Sequence, residues 1–192
     1  MTNQVSNTID LLLAQSFKEI AVNKPIEKIT IKEITDLAGV IRPTFYNHFQ
    51  DKYELMEWII RMELLEPMRP LLFKHQFADA LYLPMEALIA SKAYYMRAAR
   101  LEGQNSFEES LRSQISNLIL ECIPPEKLQA KLPYAWLTPQ RTADYFAAVI
   151  SDAVMCWILS GMEAPKEEFA DVFLHLCFHS IAELIGDLHI SE

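Results

Sequence analysis

Four glycines in 192 residues, set among many Leu, Ile, Ala, Met and Glu, favour an all-helical chain over a sheet protein. The glycines and the ten prolines punctuate stretches whose apolar residues recur at helical spacing. Ile9, Leu12, Leu13, Phe17, Ile20 and Ala21 predict a first helix from about Asn7 to Asn23, stopped by Pro25. Thr30 with Glu33 three residues on is a capping box opening a second helix, and Gly39 supplies the turn after it. A short third helix follows over Ile41–His48, and a fourth runs from Asp51 to the break at EPMRP. Pro84 suits the first turn of a helix reaching Leu101. Ser106 with Glu109 opens a helix to Cys122, Thr138-Pro139 one to Ser160, and Pro165 one to Leu188. With a short piece after Pro124-Pro125, the expectation is about nine helices, all-α.

Charge divides unevenly. The net charge is −9, which argues against a globally basic nucleic-acid binder. Residues 1–55 nevertheless hold six Lys/Arg and seven Asp/Glu, so the acid lies mostly in the remainder. Three widely spaced cysteines show no disulfide or zinc pattern and fit a reducing cytosol. The longest apolar stretch, YFAAVISDAVMCWILSGM, carries Asp152 near its middle and reads as a buried or interface helix, not a membrane span. The expected location is cytoplasmic.

The stretch AGVIRPTFYNHFQDKYEL has the parts of a DNA-reading helix-turn-helix, which needs two helices locked at a steep angle and a second one with a polar outer face. Ile41, Phe45 and Phe49 fall at i, i+4 and i+8 and are expected to gather on an inward stripe. Pro43, Tyr46 and Asn47 then project outward, with Arg42, Thr44 and His48 on the flanks. Such side chains can donate to phosphates, touch a thymine methyl or hydrogen-bond a base edge. Lys52 at the next helix start works against the macrodipole, so a phosphate contact explains it better than helix stability.

The string TIKEITDLAGVIRPTFYNHFQDKYELM resembles the DNA-binding head of the TetR/AcrR family of bacterial regulators. The matching residues are Thr30, Ala38-Gly39-Val40, Thr44, Phe45, Tyr46, Phe49 and Lys52. The resemblance implies a three-helix DNA-binding head over residues 1–52 and a helical effector-binding and dimerisation body over 53–192. It also implies that Arg42, Pro43, Thr44, Asn47 and His48 face bases or sugar-phosphate, while Thr30, Tyr46 and Lys52 grip phosphates. Ile41 departs from the pattern, because that position usually carries a polar helix cap. Residues 91–115 further resemble bodies of Gram-positive regulators related to dihydroxyacetone-kinase control.

In that family the last two helices of the body pair across a two-fold axis. Val149, Cys156, Trp157, Phe173, Leu176 and Leu184 are the interface residues expected here. Met62, Phe77, Tyr95, Phe107, Trp136 and Tyr145 are candidates to line a pocket for a small apolar or aromatic effector, with plain core as the competing reading. His175 and His179 stand at i, i+4 around Cys177, a spacing that can hold zinc, but no third ligand is near and no metal or cofactor is expected. No phosphate loop, nucleophile elbow or di-iron motif is present, so the chain does not read as an enzyme. The expectation is a dimeric regulator on a palindromic operator in double-stranded DNA, a repressor released by its effector. The alternative is a protein-partnered co-regulator of the same fold with no small-molecule ligand.

Overall fold

The computed structural model describes residues 2–131 and 134–178. Its described residues form eleven α-helices, one 3-10 turn and one π-helical turn, with no strand among them. The head comprises α1 (Thr2–Asn23), the 3-10 turn Ile26–Lys28, α2 (Ile31–Ala38) and α3 (Arg42–Tyr46). Then α4 (Lys52–Ile59) runs straight into a π-helical turn, Ile60–Leu65. The body continues with α5 (Arg69–Phe73), α6 (Phe77–Ala90), α7 (Lys92–Ala98), α8 (Phe107–Cys122), α9 (Pro125–Gln129), α10 (Pro139–Leu159) and α11 (Lys166–Phe178).

Local sequence explains most boundaries. The Thr30 hydroxyl accepts from the Glu33 amide, and the Glu33 carboxylate accepts from the Thr30 amide at 2.9 Å, closing the capping box of α2. Gly39 ends α2 at φ +71, the left-handed region that a side chain resists, and its amide reaches the Thr35 carbonyl. Ser106 caps α8 through the Glu109 amide and Thr138 caps α10 through the Arg141 amide.

Four expectations are corrected. The helix count is higher than nine, because short α5 is separate and the helix expected from Pro84 to Leu101 is two helices. Pro84 does not open its helix: it lies inside α6, which begins at Phe77. An interior proline costs about 3 kcal/mol; burial of Ala80, Met85 and Leu88 on α6 offsets it. The fourth helix is not uniform, since Glu66 N–H bonds the Arg61 carbonyl at 2.8 Å, a wide i→i+5 turn. Ile41 is not on the inward stripe; it is 69 % exposed and precedes α3 without a side-chain cap.

One apolar core runs through the molecule. Leu13, Phe17, Ile34 and Phe45 of the head bury with Leu55 and Ile59 of α4, continuous with Leu64, Tyr94, Phe107, Trp157 and Ile158 in the body. Helix α10 is long and apolar enough to cross a membrane by length and composition. Here it packs along α8, with Ala143, Ala147, Ser151, Met155 and Ile158 buried, and Ser116 on α8 donates to Asp144 on α10 at 2.6 Å.

Candidate nucleic-acid interface and body cavity

Helix α3 is held from beneath by aromatics. Phe45 is fully buried and Phe49 nearly so, their rings 5.9 Å apart, and Phe49 meets Trp58 of α4 edge-on. That packing turns Arg42, Pro43, Tyr46 and Asn47 to the surface, with Thr44 half-buried. Arg42 Nη2 donates to Tyr46 Oη at 3.1 Å, and its guanidinium lies 5.8 Å from the Tyr46 ring centre. The pair is therefore pre-arranged on the exposed face, with donors of the kind that recognise phosphate and base edges.

Three other sequence candidates have partners inside the protein. His48 Nδ1 lies 2.6 Å from Asp10 Oδ1 of α1, and both side chains are mostly buried. Its ring ties the C-terminal end of α3 to α1. Lys52 Nζ donates to the carbonyls of Glu27 and Ile29 at 2.7 and 2.8 Å, pinning the start of α4 to the turn before α2. Burial of that ammonium pulls its pKa below the ordinary lysine value. Thr30 is exposed, yet its hydroxyl is engaged in the capping box, where it also donates to Glu33 at 2.8 Å. Lys24 grips the same Glu33 at 2.6 Å, and this hydrogen bond first, then those from Thr30, lowers the carboxyl pKa to about 2. Lys28 and Lys32 of the head are exposed and were not among the sequence candidates, because nothing local marks a solvated lysine as a DNA contact.

The body holds an apolar cavity of about 450 Å³ between the π-helical turn, α5, α6, α8, α10 and α11. Leu64, Leu65, Leu111, Leu118, Ile150 and Phe169 are among its walls, and Cys122 is the one residue with a polar side-chain hydrogen among the described lining residues. Of the expected lining residues only Phe77 is there. Tyr95 and Phe107 are fully buried core, packed edge to face 5.9 Å apart. Met62 is half-buried away from it, while Trp136 and Tyr145 are 71 % and 65 % exposed. Val149 and Phe173, expected at a dimer interface, are among the residues that line the cavity, Val149 being also half-exposed. Trp157 is also internal, stacked on Phe169 at 4.8 Å. Cys156 and Leu176 are exposed. Leu184, His179 and the side chain of Cys177 lie outside the described residues.

Residues 18–59 match the model for bacterial regulatory proteins of the tetR family, and residues 76–178 match a transcriptional-regulator C-terminal region of the same family. The chain is 24 % identical over 155 residues to the HTH-type dhaKLM operon transcriptional activator DhaS of Lactococcus lactis, covering 81 % of this chain and 82 % of that one. Among solved structures, the dihydroxyacetone kinase operon activator DhaS superposes with a TM-score of 0.61 at 23 % identity, over 88 % of this chain and 93 % of that one. NalD, the secondary repressor of the MexAB-OprM multidrug efflux pump in Pseudomonas aeruginosa, gives 0.58 at 16 % identity over 91 % and 96 %. These structural likenesses carry the fold alone; the two family matches lie end to end across head and body and describe regulators, not enzymes. The chain belongs to the TetR family of DNA-binding transcriptional regulators.

Proposed function

We propose that the protein is a cytoplasmic homodimer that sits on a palindromic operator and is released, as a repressor, when a small apolar or aromatic effector enters the body. Residues 1–52 form the reading head and 53–192 the effector-binding and dimerising body. Arg42, Pro43, Thr44, Tyr46 and Asn47 meet the DNA, while His48, Lys52 and Thr30 hold the reading helix and its neighbours in place. A two-fold dimer sets its two α3 helices about 34–36 Å apart, one turn of DNA. The α10–α11 pair supports dimerisation by its uncovered apolar side: Tyr145, Val149, Leu159, Val172 and Leu176 are about half exposed or more, with Cys156 among them.

The cavity is the observation that favours a small-molecule effector over a protein partner. A void of this volume is ligand-sized, and apolar walls on six elements are what a small hydrophobe needs. A ligand shifts DNA affinity only by binding one head spacing better than the other. The test is fluorescence anisotropy on DNA upstream of the protein's own gene, with and without N-phenyl-1-naphthylamine, a neutral apolar probe. A salt-sensitive, palindrome-dependent complex weakened by the probe supports the reading; a reporter driven by that DNA gives the sign of regulation.

A further inference from the structure

The π-helical turn Ile60–Leu65 stands where α4 leaves the head and enters the body. Its residues face two ways. Leu64 and Leu65 are buried and form part of the cavity wall. Glu63, beside them in sequence, faces α1 and α7. Its carboxylate accepts from Lys18 Nζ at 2.6 and 2.8 Å and from Tyr95 Oη at 2.7 Å. Lys18 belongs to α1 of the head and is 11 % exposed; Tyr95 belongs to α7 of the body and is fully buried. Lys18 Nζ also lies 5.8 Å from the Tyr94 ring centre. One short segment thus touches the cavity on one side and binds the head to the body on the other.

We propose that Glu63 is the positioning residue that couples the body cavity to the DNA-reading head. Wide i→i+5 turns inside α-helices are rare, occur often at functional sites, and are places where a helix kinks. An apolar molecule filling the cavity presses on Leu64 and Leu65. Any movement of that turn carries the Glu63 carboxylate with it, because the two leucines follow directly in the chain. The charge pair to Lys18 is shielded from water on the lysine side, so it transmits displacement instead of exchanging for solvent. Lys18 then moves α1, and α1 holds the recognition helix through Asp10 and His48. The inference rests on the effector reading above.

The experiment measures coupling, not affinity. The dissociation constant of N-phenyl-1-naphthylamine is determined for the free dimer and for its complex with the upstream DNA. Their ratio is expected to be roughly fivefold or more in the wild-type protein, the usual lower range for allosteric coupling. Glu63→Gln keeps the size and the Tyr95 acceptor but loses the charge. It is expected to bind probe within twofold of wild type when free, with the ratio reduced towards one. Lys18→Met, which removes the pair from the other side and is checked for helical content by circular dichroism, is expected to do the same. A folded variant of either kind that keeps the wild-type ratio overturns the role of Glu63. Wild-type protein that binds the probe with a ratio of one overturns coupling through this cavity altogether. Wild-type protein that does not bind the probe overturns the effector reading itself, and with it the inference.

Discussion

His48, two residues past the end of α3, meets Asp10 on α1 at 2.6 Å, although 38 residues separate them. The contact makes the angle of α3 depend on a residue outside the helix-turn-helix. Asp10→Ala leaves the imidazole without its partner, a loss of about 1–3 kcal/mol for a largely buried charge-assisted bond. The expected result is a lower melting temperature and weaker DNA binding with the salt dependence unchanged, since no phosphate contact is removed. Arg42→Ala is expected to weaken binding as well, but to reduce the slope of log affinity against log salt by about one.

Lys52 separates a phosphate role from a structural one. Its ammonium serves the carbonyls of Glu27 and Ile29. Lys52→Met leaves both acceptors without this donor, at a cost of about 1–3 kcal/mol. Thermal unfolding is expected to show that loss in the absence of DNA, and the salt slope of the folded variant is expected to match wild type.

These two residues also show where sequence reasoning stops. The caps at Thr30, Ser106 and Thr138 were legible because a cap and its target amide lie three residues apart. Gly39 was legible for the same local reason. The partners of His48 and Lys52 lie 38 and 23–25 residues away, so their residue types suggest DNA contact while their ties to Asp10, Glu27 and Ile29 could not be read from the sequence. Pro84 misled because burial along α6 outweighs what a proline does locally. Aromatic content in the body marked Tyr95 and Phe107, which are core, and passed over the leucines and isoleucines that wall the cavity. Apolar composition is the same for a packed core and for an empty pocket; only the tertiary fold separates them.

The Glu33 carboxylate gives a pH dependence with a definite sign. Its folded pKa is depressed from 4.5 to about 2, mainly by Lys24 and then by Thr30. Its contribution is therefore complete above the unfolded value and is lost as pH falls through the folded one. Glu33→Gln is expected to lower the melting temperature at pH 6. The difference from wild type narrows between pH 4.5 and 2, measured by circular dichroism.

Cys122 reports on cavity occupancy. Burial raises its thiol pKa, whereas Cys156 is exposed on α10. In a Cys177→Ser background, maleimide is expected to label Cys156 first and Cys122 slowly at pH 7.5. Saturating N-phenyl-1-naphthylamine slows Cys122 further and leaves Cys156 unchanged, read by peptide mass spectrometry.

The uncovered side of α10 and α11 is tested by charge. Cys156→Arg with Leu176→Arg puts two cations where the proposed partner packs; both positions are exposed in the single chain, so its own fold is spared. Sedimentation is expected to show monomers with native helical content, and operator affinity is expected to fall by at least 100-fold, on the order of 3 kcal/mol.

The most direct test of the account titrates the protein onto DNA from upstream of its own gene, following anisotropy at several salt concentrations. One dimer on a palindrome is expected, with affinity that falls steeply with salt and release by the neutral apolar probe. Binding that ignores the palindrome, or no complex at any salt, would contradict it.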